Sequence, residues 1–534
     1  MLLIKSYPAN NYLMNREKRI LPDDPEKLKQ IIESLEADYR LLEEKFKTLQ
    51  RKFFGKSSEK LTPEDELQGR LFDEAEDGMP LEEETAQENE GQCVTKVKEY
   101  VRKKTGRKPL PVDLPREEVI HDLTEAEKKC PCCGEERKQI GSDETEELDI
   151  IPASIKVIRH VRLKYGPCGC DEFLNSGEAE IKKAAAPKRM IPGSIVSPGL
   201  LAYTVTSKYA DALPFYRQSK IFERIGVELS RATLCNWTIE AYEKMTGFMK
   251  VFEEQLKCGN FIRMDETTVQ VLHEENRRPE NKSYMWVSIG YPERGRPLVL
   301  YQYHPTRSKK VPYDFLEGFT GYLQTDGYDG YNYAVSRGGI VHVGCFAHAR
   351  RYFFDAAKLN KNDSRAHKGL QFIKRIYEIE SELREKNLGD ERFVEQRKKL
   401  MVPVLEDFHR WLLLSKNEVI PKSKTGEAVN YTLNEWSKLI CYIDAAFLTP
   451  DNNEAERVIR PFVIGRKNWL FSNTPRGANA SAAMYSLIES AKVNRLEPYV
   501  YLRFLFTRLP EASNQSDFRD LLPCFLSAEQ IHTD

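Results

Sequence analysis

No run of apolar residues in this chain approaches the roughly 20 that a helix needs to cross a bilayer. The first residues, with Lys5, Arg16, Lys18 and Arg19 interleaved, lack the apolar core of a secretory signal. A cytoplasmic protein with no membrane partner is therefore expected. A disulfide framework is missing as well: of the eleven cysteines, those between Cys130 and Cys170 fall in two tight groups and the others stand singly, a distribution that suits metal binding better than crosslinks. Net charge is also absent, at −1 from 81 basic and 82 acidic residues, but the balance is uneven. Residues 64–90 hold twelve Asp and Glu against the single Arg70, which leaves the remaining chain at +10. That basic body suits a polyanionic partner.

A chain of 534 residues is too long for one core, so several modules are expected. Leu28, Leu35, Leu42 and Leu49 recur every seven residues, with Ile32, Tyr39, Phe46 and Phe53 four further on and charges such as Glu36, Arg40, Glu43 and Lys47 between them. This is a heptad pattern, and residues 1–60 are assigned to a coiled coil that would pair protomers in a homo-oligomer. The acidic, Pro- and Gly-punctuated residues 61–95 read as a disordered linker, and 96–118, ending GRKPLP, as a basic arm suited to a phosphate backbone.

Within 119–180, Cys130-Pro-Cys-Cys133 and Cys168-Gly-Cys170 flank LDIIPASIKVIRHVRLKY, whose β-branched residues read as a strand pair. Two knuckles joined by a hairpin make a zinc ribbon, with Cys130, Cys133, Cys168 and Cys170 as the Zn2+ ligands. Residues 181–258 read as helical. IFERIG ends at Gly226, a fitting C-cap, and Ser230 can cap a second helix that starts at Arg231, so the pair resembles a helix-turn-helix whose Arg231 end could enter a DNA groove.

From residue 259 the pattern changes to strands. FIRMDETTVQVL, SYMWVSIGY and PLVLYQYH follow one another, GYLQTDGY adds a fourth strand, and IVHVGCFAHARRYFFDAA a fifth that runs into a helix. Three antiparallel strands followed by strand–helix units is the order of a ribonuclease-H-like sheet, assigned to 259–475. It places Asp265 on the first strand and Asp326 at the end of the fourth. Residues about 356–445 return to helical periodicity, too long for a loop, and read as a helical insertion. The remainder, 476–534, is helical. After the insertion, Asp451-Asn-Asn453 starts a helix carrying Glu454 and Glu456, which are two apart and so point to different faces; only one can join the aspartates. Two strand aspartates and a helix glutamate could cage divalent metal for in-line attack on phosphate. The fold class is thus multidomain α/β.

These motifs in order, from FFGKSSEK after the heptads, through GRKPLPVDLPREEVIHDL, CPCCGEERKQIG, LPFYRQSKIFERIGVELSRATLCNW, MDETTVQVL, LQTDGYDGYN and HVGCFAHARRYFFDA, to DNNEAERVIRPFVIGRKNWLF and AKVNRLEPYVYLRFLFTRLP, resemble transposases of the insertion-sequence 66 family, a branch of the DDE superfamily. The resemblance implies a catalytic triad of Asp265, Asp326 and Glu456 holding Mg2+ or Mn2+. It implies that Arg457, Arg460, Arg466 and Lys467 hold phosphates, that Trp469 stacks on a base, and that His348, Arg350 and Arg351 lie near the DNA. Its expected partners are the element's terminal repeats, target DNA and small accessory transposition proteins. One departure stands out: Pro167 occupies a usual cysteine place beside Cys168, which makes Cys132 an alternative third zinc ligand. Two further readings compete with a transposase, a zinc-containing DNA-binding regulator and a structure-selective nuclease of the same fold. Intact carboxylates argue against the first, and a strand-joining assay separates the second.

Overall fold

The computed structural model describes residues 24–54, 154–165, 182–292, 296–360 and 363–531. They belong to two units, Met1–Glu74 with Pro187–Asp534, and Ala75–Ala186. In the second unit, β1 (Lys164–Tyr165) runs antiparallel to β2 (Lys182–Lys183), and Arg162 Nε donates to Ala184 O at 2.7 Å. This corrects the strand pair expected within 148–165: where that segment is described, only its last two residues join a ladder, and their partner lies beyond the second knuckle. Val157, Val161 and Leu163 stand exposed, so the β-branched run has no apolar face to bury there. Cys130, Cys132, Cys133, Cys168 and Cys170 lie outside the described residues, and with them the ribbon itself.

In the first unit, α1 (Pro25–Phe54) is one continuous helix. Leu28, Ile31 and Leu41 are partly covered, and the Lys424 N–H donates to Glu44 Oε2 at 3.2 Å, which ties this side of the helix to the body. The heptad residues Ile32, Leu35, Tyr39, Leu42, Phe46 and Leu49 face elsewhere and are exposed. Four helices follow: α2 (Pro198–Tyr209), α3 (Phe215–Arg224), α4 (Arg231–Lys244) and α5 (Thr246–Leu256). The turn between α3 and α4 is built by the two residues expected to build it. Gly226 takes a φ of +83°, which a side chain would oppose, and Ser230 Oγ accepts from Thr233 N at 3.1 Å to cap α4. Beyond that cap, α4 buries Leu234, Trp237, Thr238 and Ala241, leaving Arg231, Asn236, Glu240 and Glu243 outward.

The central sheet has five strands: β3 (Phe261–Gln270), β4 (Lys282–Gly290), β5 (Leu298–His304), β6 (Gly321–Gln324) and β7 (Ile340–Val343). Their spatial order is β5-β4-β3-β6-β7. The first three pair antiparallel, while β6 and β7 run parallel to β3. Short helices α6 (Lys310–Phe315) and α7 (Asp329–Val335) lie between β5 and β6 and between β6 and β7. Strand β7 leads into α8 (Phe346–Leu359). The expected mixed sheet, with its sense and succession of strands, is therefore present.

The helical segment after α8 consists of α9 (Ser364–Glu385), α10 (Asp390–Glu418), α11 (Lys424–Asn434), α12 (Trp436–Leu439) and a 3-10 turn at Ile440–Asp444. It packs with α8 around a core that also takes in Phe261 of β3 and Val343 of β7; there Phe372 and Phe408 stack at 4.9 Å, and Phe353 of α8, Ile373 and Leu412 are closed off from water. Then come α13 (Asn453–Trp469), α14 (Pro475–Val493), α15 (Pro498–Arg508), α16 (Gln515–Asp520) and α17 (Ala528–Ile531). Helix α14 is rich in Ala and Ser, and its small side chains let it approach the free edge of β5. There Ser490 Oγ accepts from the Val299 N–H and Ser486 Oγ from the Tyr301 N–H, at 2.8 Å each, which closes an edge that would otherwise offer itself to another strand. Among the described residues no helix is long and apolar enough to cross a membrane.

Candidate active site

Register brings the two aspartates together. On the parallel pair, Arg263 of β3 stands opposite Gln324 of β6. Two residues further on, both chains carry an aspartate: Asp265 is still on β3, opposite Val287 of β4, while Asp326 lies just past the end of β6. Each is fixed by a backbone amide, Asp265 Oδ1 accepting from Glu266 N at 2.8 Å and Asp326 Oδ1 from Tyr328 N at 3.0 Å.

The third carboxylate arrives on α13, and the same register pair guides it. Gln324 Nε2 donates to Thr449 O at 2.8 Å, and Arg263 donates to Thr449 Oγ1 at 3.0 Å and to Asp451 O at 3.2 Å. Asn452 then donates through Nδ2 to Met264 O at 2.9 Å. The chain leaving the helical segment is thus fastened to β3 and β6 immediately before α13 begins. Glu454 turns to Arg263, 3.4 Å from its Nε, and accepts the Tyr291 hydroxyl. Glu456 turns the other way, 3.4 Å from Arg351 Nη2 and 3.8 Å from His348 Nε2.

Electrostatics mark the same cluster. Burial first, then the charges of Glu266, Asp326 and Glu456, push the Asp265 carboxyl well above its ordinary range. Glu266 is raised too, by burial and by Asp326, although Tyr331 donates its hydroxyl to Glu266 Oε2 at 2.5 Å and Arg307 Nε donates to Oε1 at 2.6 Å. The Arg307 guanidinium also lies 3.8 Å from Asp326 Oδ2. Burial lowers His348, with Glu456 opposing.

Mutually repelling carboxylates are the donor chemistry of a hard divalent cation, and Glu456 Oε1 is buried without a hydrogen-bond partner, so the residues fit such an ion. As they stand, among the described residues no three His, Cys, Asp or Glu side chains converge closely enough to hold one. Sequence reasoning passed over Glu266, Arg307 and Tyr331. Glu266 adjoins Asp265 in MDET, but its two partners come from β-loop and helix positions 41 and 65 residues away.

The remaining candidates are placed as follows. Arg231 is exposed at the first residue of α4. Arg350 is partly buried, its guanidinium 6.0 Å from the Phe354 ring, whereas Arg351 is more exposed and meets Glu456. Arg457, Arg460 and Lys467 are exposed on α13. Arg466 is used inside the fold: its guanidinium donates to Thr268 O and lies 3.1 Å from Thr268 Oγ1 on β3. Trp469 packs edge-on against Phe462 at 5.5 Å. Arg466 thus ties α13 to β3, and Trp469 is partly buried against the core beside Phe462 of its own helix.

Comparison with known proteins places most of the chain in one family. A family model described as "Transposase IS66 family" matches residues 193–480, and one for an "IS66 C-terminal element" matches 486–524. Toward the N-terminus, "Transposase C of IS166 homeodomain" matches 41–119 and "zinc-finger binding domain of transposase IS66" matches 127–171. Among curated proteins, two relatives from Sinorhizobium fredii (strain NBRC 101917 / NGR234) are similar to this chain, and both are described as uncharacterized. Protein y4qI is 30% identical over 496 residues, covering 89% of this chain and 87% of the relative. Protein y4jD is 31% identical over 439 residues, covering 79% and 82%.

Proposed function

The chain belongs to the IS66 family of transposases, and on that premise we propose that it binds the terminal repeats of an insertion sequence, cleaves the strands there and joins their 3′-hydroxyls to target DNA by a DDE mechanism. The observation that carries this reading is the register match of Asp265 and Asp326, with Glu456 and not Glu454 turned away from Arg263. The sheet of three antiparallel and two parallel strands supports a ribonuclease-H-like catalytic domain.

Asp265, Asp326 and Glu456 would hold Mg2+ or Mn2+, which when bound activates the attacking oxygen and stabilises the leaving one. Arg351 and His348 hold the Glu456 carboxylate from the side of α8. Exposed Arg457, Arg460 and Lys467 offer cations along α13 to the phosphates of the donor strand. Arg466 contributes indirectly, by fixing α13 against β3. Strand joining separates this function from plain hydrolysis. Incubated with end-repeat DNA and a plasmid in Mg2+, the protein should yield covalently joined products, and hydrolysed ends alone would identify a nuclease.

The N-terminal modules have their own tests. Cys130, Cys133, Cys168 and Cys170, with Cys132 as the alternative third ligand, are proposed to hold Zn2+. Metal analysis of the purified chain should therefore find about one zinc per protomer, and a zinc-free folded protein would refute the ribbon. The exposed heptad face of α1 is proposed to pair with a second copy, since six large apolar side chains in one stripe otherwise face water. Leu35→Glu with Leu42→Glu should convert the oligomer to a monomer in light scattering; an unchanged mass would place the pairing elsewhere.

A further inference from the structure

Beside the carboxylates, the surface of α6 and α7 carries a pattern the catalytic reading does not use. Lys309 Nζ lies 4.4 Å from the Tyr333 ring centre, and the Arg337 guanidinium 3.3 Å from that of Tyr313. The two rings pack on each other at 4.8 Å, tilted by 31°. Two cations from different loops thus clamp one pair of tyrosines. Tyr333, Lys309 and Arg337 are exposed, and among the described residues neither cation has a carboxylate within ion-pair distance. The acids nearby are engaged or apart: Asp314 lies 4.0 Å from Lys310, Asp329 accepts from Asn332 at 3.3 Å, and Glu317 is solvated.

The clamp is continuous with the catalytic edge. Helix α7 begins at Asp329, just after Asp326, and the loop that supplies Lys309 also supplies Arg307. Arg307 repeats the motif, its guanidinium 4.0 Å from the Tyr328 ring, while its other side reaches Glu266 and Asp326. Tyr328 in turn meets Tyr331 edge-on at 5.7 Å.

Lys309 and Arg337, two cations without counter-charges packed on aromatic rings of the helices before and after β6 and Asp326, have the chemistry to bind unpaired nucleotides. The cations take phosphates, and the rings take base faces that a duplex keeps stacked inside. Resting on the transposase reading, we propose that this clamp of Lys309, Arg337 and the two tyrosines binds the single strand of DNA that leaves the catalytic edge beside the scissile phosphate.

The test measures binding of the full-length protein, in EDTA so that nothing is cut, to a fluorescent thymidine 12-mer and to a duplex of the same length. Lys309→Ala with Arg337→Ala should weaken binding of the single strand by about tenfold. The slope of log affinity against log salt should fall by about 1.4, two phosphate contacts at roughly 0.7 each. Tyr333→Ser should lower affinity for the single strand and leave that slope unchanged, the mark of a lost stacking contact. Both sites are exposed, and an unaltered melting curve will verify that the variants fold. Unchanged affinity and slope in the double variant would overturn the proposal, as would a loss confined to the duplex. Either result leaves the joining assay untouched, so the transposase reading would stand or fall separately.

Discussion

Asp326→Asn is expected to abolish strand cleavage in Mg2+ while leaving binding to the element's ends close to normal. The substitution keeps the side chain's shape and the acceptor that Asp326 Oδ1 offers to Tyr328 N, so β6 and α7 keep their junction. What it removes is one charge of the carboxylate set proposed to hold the metal. Several kcal/mol of transition-state stabilisation rest on that set, so the rate should drop on the order of 10³-fold or more. Glu456→Gln should behave alike. Glu454→Gln should keep most of the activity, because Glu454 is engaged with Arg263 and Tyr291 and serves the placement of α13. Cleavage by Asp326→Asn at a normal rate, or a loss in Glu454→Gln equal to that in Glu456→Gln, would mean that the triad has been misassigned.

The parts of this site that could be read from sequence are those written within single elements. Strands β3 and β4 announce themselves by β-branched and aromatic runs, and Asp265 and Asp326 by their positions on or just after such runs. The α3–α4 turn was equally legible, because Gly226 and Ser230 act through their own backbone and the next few residues. What stayed hidden depends on pairing between distant segments. Residue spacing alone left Glu454 and Glu456 equivalent until Arg263, 191 residues before Glu454, could be seen to engage one of them. Arg466 and Trp469 looked like DNA contacts because a cation and an aromatic on a helix carry no sign of what they face. The structure turns Arg466 toward β3 and packs Trp469 edge-on against Phe462 of its own helix. In 148–165 the β-branched residues suggested a strand pair, but a ladder needs a partner and a face to cover, and only Lys164–Tyr165 has one among the described residues.

Arg397→Met carries the largest expected cost in stability, and it links the helical segment to the chemistry. Arg397 is fully buried on α10. Its guanidinium donates to Glu380 Oε1 at 2.7 Å and to the carbonyls of Tyr442, Ala445 and Leu448 at 2.7, 2.8 and 3.0 Å. Methionine matches much of its volume but leaves a buried carboxylate and three carbonyls short of a donor. Breaking one side of such a pair costs about 3 to 5 kcal/mol. The lower figure fits here, because Arg384 still reaches Glu380 Oε1 at 3.0 Å and Leu448 O at 2.9 Å. Adding Glu380→Leu, which removes the stranded charge, should recover a good part of the loss in a denaturant titration; no recovery would show that the carbonyl contacts dominate. The functional consequence follows from the chain path. Leu448 directly precedes Thr449, which Arg263 and Gln324 fasten to the sheet before Asn452 and Glu456. Loosening Leu448 should therefore lower cleavage more than the folded fraction alone accounts for. If activity per folded molecule is unchanged in Arg397→Met, the insertion is a passive appendage and Arg263 with Gln324 suffices to place Glu456.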